Sequence, residues 1–142
     1  MTTKKKRLDI EYTFEFELMG ISSGAKAYKL AWELNLALGS GLTRVKDHEV
    51  LHKNKSVCSY LHYALKNEVN GLKLFKNKPT DESASKDYLV PEFPHFDFIL
   101  LVQGEAFTDH NRLQELLRNI PSVELVAFIP LAALKTKEYF IF

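Results

Sequence analysis

Phe96-Asp-Phe-Ile-Leu-Leu-Val102 is the stretch on which the fold turns. It is apolar apart from Asp97, so as a strand it is buried on both faces. Gly104 ends the run. Thr108 or Asp109 then offers a cap for a helix over roughly 110–119, where Leu113, Leu116, Leu117 and Ile120 recur at helical spacing. Pro121 stops that helix, and Val123 to Ile129 reads as another strand. A strand–helix–strand unit over 96–129 predicts two parallel strands joined by a right-handed crossover. Pro130 and residues 131–134 make a short turn or helical segment. The apolar tail Tyr139-Phe-Ile-Phe142 is costly to leave in water, so it is expected to dock on the sheet or on another subunit.

Upstream, Tyr88 to Phe93 reads as extended chain, punctuated by Pro91 and Pro94. Residues 77–87 are polar and breaker-rich, which predicts a mobile loop. Residues 56–66 are rich in strand formers, and 71–76 form a return strand, with the turn at 66–68 or at Asn70-Gly71. Gly41 to Val45 reads as a short strand, followed by a charged, histidine-rich segment over 46–54. Residues 25–38 read as a helix: Lys26, Lys29, Glu33 and Ser40 share a polar face opposite Ala27, Leu30, Ala31, Leu34 and Leu38. Ser22-Ser23-Gly24 offers its N-cap and Gly39 its stop. So much of this helix is apolar that it is expected to be covered, with Trp32 in the core. Residues 8–18 alternate without a break, with Leu8, Ile10, Tyr12, Phe14, Phe16 and Leu18 on one face and mostly acids on the other. That is a strand with one wet face, and Gly20 is expected to end it.

Strand, helix, hairpin, strand, helix, strand and tail assemble as an α+β domain. The expected architecture is a mixed, mainly antiparallel sheet with two helices on one face, a two-layer sandwich with a C-terminal βαβ unit. Residues 1–7 form a basic tail and 8–142 one domain; 142 residues suffice for a sizeable core. Hydrophobic residues at 46% and charged residues at 26% exclude disorder, collagen and coiled coil. No apolar run reaches the ~20 residues of a spanning helix, and no apolar stretch follows the basic start as in a signal peptide. A single cysteine, Cys58, fits a cytoplasmic compartment.

His48-Glu49-Val50-Leu51-His52 matches the zinc-hydrolase pattern H-E-x-x-H. On a helix, two histidines four apart share a metal while the glutamate activates its bound water. His62, Cys58 or Glu68 are candidate third ligands. Against this, 45–52 carries no continuous apolar stripe, and Lys46, Asp47, Lys53 and Lys55 mark an exposed segment. The competing reading is a pair of exposed loop histidines. Cys58 reads as a small buried hydrophobe, and no Gly-rich phosphate loop is present. Net charge is +1, yet residues 44–78 carry eight Lys/Arg beside Tyr60, Tyr63 and Phe75, a composition that can bind RNA. Tyr60 and Tyr63 differ in parity, however, and the pI of 7.8 lies far below a nucleic-acid binder's.

Val90-Pro-Glu-Phe-Pro-His-Phe-Asp-Phe98 resembles the bacterial family named for its I-P-E-x-x-x-V-D-Y motif. Val90 stands for Ile, Pro91, Glu92 and Asp97 are kept, and Phe96 and Phe98 replace Val and Tyr. The run Leu18-Met-Gly-Ile-Ser22, the helix end Trp32-Glu-Leu-Asn-Leu-Ala-Leu-Gly39 and the tail 134–142 also resemble it. The resemblance implies no activity, as the family has no assigned function. It also implies that paired histidines at 48 and 52 are particular to this chain. Read on its own chemistry, Asp97 ties down nearby backbone, or Glu92, His95 and Asp97 line a small polar pocket at the sheet edge.

These readings favour a non-enzymatic protein-interaction module, homodimeric through the apolar tail and the acidic strand. A zinc hydrolase using His48, Glu49 and His52 is the alternative, and an RNA-binding module through 44–78 the second.

Overall fold

The computed structural model describes residues 16–52, 57–65, 71–81, 87–103, 109–134 and 137–140. The basic tail, the strand over 8–15, Glu68, Thr108 and Phe142 lie outside them. The described strands are β1 (Glu17–Ser23), β2 (Thr43–Arg44), β3 (His48–Leu51), β4 (Val57–Tyr60), β5 (His62–Ala64), β6 (Gly71–Lys76), β7 (Phe98–Gln103) and β8 (Val123–Ile129). Helix α1 spans Ala27–Leu38 and α2 spans His110–Arg118. Short 3-10 turns follow at Leu131–Ala133 and Lys137–Phe140. The class is α+β.

Six strands form one sheet in the order β2-β5-β6-β7-β1-β8, and β3 and β4 pair separately. Each hydrogen-bonded pair among the described strands is antiparallel. This corrects the expected mixed sheet. β7 and β8 do run the same way, because both oppose β1, but β1 lies between them: Met19 pairs with Leu100 on one side and Phe128 on the other. The helical crossover thus leaves a slot that the N-terminal strand fills.

β1 does not end at Gly20. It runs through, because the Phe96 ring lies flat on the sheet there. A Cβ at Gly20 would sit 2.2 Å from that ring. Gly39 ends α1 as expected, in the left-handed conformation at φ 63°. The N-cap differs: Lys26 occupies it without a side-chain bond, and Ser23 Oγ instead accepts from the Ala25 N–H at 3.1 Å. Asp109 caps α2 as read, accepting from the Arg112 N–H at 3.1 Å.

One sheet face (Met19, Ile21, Leu74, Leu100 and Val102) meets Leu30, Ala31 and Leu34 of α1 and Leu113 and Leu117 of α2. The other face is covered too, contrary to the one-sided expectation. Leu18, Phe75, Ile99 and Leu101 pack under Val50 and Tyr60 of the small hairpin, under Leu89 to Phe96, and under Leu134 and Phe140. The reason is chain routing. The strand expected over 56–66 breaks at Leu61, so β4 leaves the sheet to pair with β3 and lie across it. The tail docks on its own chain: Phe140 is buried, with its ring 5.6 Å from Phe75 and 6.4 Å from Phe16.

Candidate functional site

His48 to Leu51 sit on strand β3 and His52 directly after it, so the H-E-x-x-H residues are extended and not helical. An extended chain rises about 3.3 Å per residue, so four residues carry His52 about 13 Å from His48. Each histidine has its own partner. His48 Nε2 donates to the Tyr139 carbonyl at 2.8 Å. Tyr60 Oη donates to the Asp87 carbonyl, so the 2.6 Å contact with His52 Nε2 requires the histidine to be its donor. Glu49 is exposed while its neighbour Val50 is buried. Among the described residues, no three His, Cys, Asp or Glu side chains converge as a metal site would require.

What the strands do assemble is a half-buried histidine pair. His62 stacks on Phe75 with centroids 4.5 Å apart, and His48 lies 5.2 Å from Phe75 and 6.1 Å from His62. Burial pushes the His62 pKa down to about 4, helped by His48 and Lys73 and opposed by the Lys46 backbone and Asp47. Burial also lowers His48, against its Tyr139 hydrogen bond. Two neutral rings in an aromatic setting serve as packing. Nearby, burial raises the Tyr60 hydroxyl, and the buried Cys58 thiol points to the Asp87 carboxylate at 3.8 Å. A buried thiol and a hydroxyl whose pKa burial raises are both held back from the ionised form a nucleophile needs. Tyr60 and Phe75 are buried, so no base can stack on them; Tyr63 is half-buried with Arg44 at 6.0 Å from its ring centroid.

Glu92, His95 and Asp97 lie on one connection but do different things. The connection is two tight turns, not extended chain: Phe93 N–H reaches the Val90 carbonyl at 3.1 Å and Phe96 N–H the Phe93 carbonyl at 3.3 Å. Asp97 sits just before β7, and its carboxylate accepts from the Ser23 N–H at 2.8 Å. That bond extends the β1–β7 edge past its last pair, Ile21 and Phe98, where the Asp97 N–H also donates to the Ile21 carbonyl at 2.9 Å. The His95 ring is 4.3 Å from Phe96, and its carbonyl accepts from Ser22 Oγ at 3.2 Å. Glu92 is half-buried. The residue that organises the loop is Asn77, only 1% exposed. Its amide donates to the Phe96 and Phe93 carbonyls at 2.9 and 3.2 Å, and its side-chain oxygen accepts from Val90 N–H at 2.8 Å. Sequence reasoning placed Asn77 in a mobile polar loop. A lone asparagine carries no signal of which backbone it will satisfy.

The most conspicuous surface lies on α1. Tyr28, Trp32 and Leu36 are 66%, 60% and 66% exposed, contrary to the expectation of a covered helix with Trp32 in the core. At spacings of four they form one ridge along the outer face. Beside it, a groove of about 430 Å³ runs to α2, lined by Trp32, Leu36, Ala37, Leu116, Ile120 and Pro121. Glu33 sits at its edge, accepting from Ser122 Oγ. The available signal was the spacing itself: once 27, 30, 31 and 34 face the sheet, 28, 32 and 36 cannot.

Among the described residues, no helix is long and apolar enough to cross a membrane. No family model, curated protein or solved structure matches the chain.

Proposed function

We propose that this chain is a non-enzymatic, cytoplasmic protein-interaction module that docks through the outer face of α1 and the groove beside it. The observation that carries the reading is the exposed Tyr28–Trp32–Leu36 ridge. Tyrosine and tryptophan are the side chains that anchor protein interfaces, each contributing a large rigid apolar area at little entropic cost. Few charges interrupt the ridge, as in the core of an interface. The histidine pair and the 90–98 loop do structural work by comparison, since His48 serves the Tyr139 carbonyl and Asp97 and Asn77 serve the backbone around the loop. The family resemblance at 90–98 supplies no reaction to set against this.

The test is a photo-crosslinking amino acid in place of Tyr28, irradiated in cells that express the full chain. The expected result is a discrete protein adduct that disappears with Trp32→Glu. Uncrosslinked chain alone, or a smear indifferent to Trp32→Glu, defeats the reading.

A further inference from the structure

We infer that the occupant of this face is a second copy of the same chain, its α1 antiparallel across a two-fold axis at Trp32. The inference rests on the docking reading above and adds the partner and its register.

The argument is self-complementarity. A helix rises 1.5 Å per residue, so Tyr28 and Leu36 lie about 6 Å on either side of Trp32. A two-fold axis through the Trp32 level, perpendicular to the helix and in the plane of contact, reverses the helix and keeps each flank on its own side. Trp32 then meets the partner's Trp32, and Tyr28 meets the partner's Leu36. The groove lined by Leu36, Ala37, Ile120 and Pro121 continues this apolar face toward α2.

Charge fits the same operation. Lys29 follows Tyr28 and Glu33 follows Trp32, so both lie on one flank of the ridge. Lys29 stands about 4.5 Å before the axis and the partner's Glu33 about 1.5 Å before it, roughly 3 Å apart along the helix. The symmetry makes this contact twice, a lysine to a carboxylate each time. A parallel pairing, about an axis along the helices, would instead put the two Lys29–Glu33 flanks on opposite sides of the seam, with no contact between them.

The experiment is sedimentation velocity on the full chain over a range of micromolar concentrations, with disulfide mapping. Dimers are expected. Trp32→Glu weakens them at least a hundredfold with an unchanged circular dichroism spectrum, since the side chain is mostly exposed. Lys29→Glu weakens them about tenfold, as the two pairings of an exposed Lys29 with a half-buried Glu33 become repulsions. The double variant Tyr28→Cys/Leu36→Cys, which keeps Trp32, gives disulfide dimers under mild oxidant, whereas Tyr28→Cys alone does not. The native Cys58 is buried and does not compete. Dimers indifferent to Trp32→Glu, or crosslinking through Tyr28→Cys alone, overturn the inference. Monomers throughout also overturn it. If Tyr28 then crosslinks a protein of another mass, the docking reading survives; if it crosslinks nothing, both fall.

Discussion

Met19 and Ile21 meet two helices on one side of the sheet, while Leu18 on the other side meets a hairpin, a pair of turns and the C-terminal segment. The two faces bury comparable apolar side chains but cover them by different means. Helices satisfy their own backbone, so the first cover needs only apolar residues at the right spacing. The second cover is irregular chain, whose backbone groups need partners supplied one at a time. Asn77 holds Val90, Phe93 and Phe96; Asp97 holds Ser23; Tyr60 holds Asp87; His48 holds Tyr139. Polar residues that looked like chemistry in the sequence are here the fasteners of an irregular layer.

The sharpest way to break that layer is Gly20→Ala. Alanine would ordinarily stabilise a strand relative to glycine by about 0.5–1 kcal/mol. Here its methyl meets the buried Phe96 ring, and close to the ring's attachment point, so the loop must lift. The expected loss is about 3–5 kcal/mol in urea unfolding. Phe96→Leu in the same chain should return part of it, because the two sites share one contact.

Asn77→Ala comes next. It strands three backbone partners in a buried setting, at an expected cost of about 2–3 kcal/mol. Hydrogen exchange should show the loss concentrated in 88–97, with α1 and α2 unaffected. Uniform loss over both faces would erase the distinction drawn here.

Acid gives the smallest effect. His62 has a folded pKa of about 4, below its ordinary 6.5. The unfolded chain therefore takes up the proton first, and stability falls as pH drops from 6.5 toward 4. Above 6.5 the contribution is fully present. A decrease in Tm of about 3–6 °C across that window is expected by calorimetry, and His62→Phe should reduce it, leaving the share of His48, while keeping the ring on Phe75.

The legibility of the fold follows the same division. The buried run at 98–102, the periodic leucines of α2, its Asp109 cap and the Gly39 stop are local patterns, and the structure has them. The intervening position of β1 is not local: nothing near Met19 says that Leu100 and Phe128 will flank it. The break at Leu61 escaped for a similar reason, since 56–66 reads as strand throughout and only pairing partners divide it. At the candidate sites, Asp97 was legible as a backbone tie, whereas Asn77 was not. The helix ridge was hidden by excess. With apolar residues almost all round α1, composition cannot choose which stripe faces inward, and the rejected stripe became the exposed one.

The central place of β1 also has a consequence for biosynthesis. On the ribosome this strand is made well before either neighbour, so its apolar residues wait unpaired until β7 and then β8 emerge. Pairings this distant in sequence form slowly. During that interval an unpaired strand invites pairing with other chains. Synthesis speed and chaperone supply, more than the stability of the finished domain, should therefore set how much of this protein a cell accumulates.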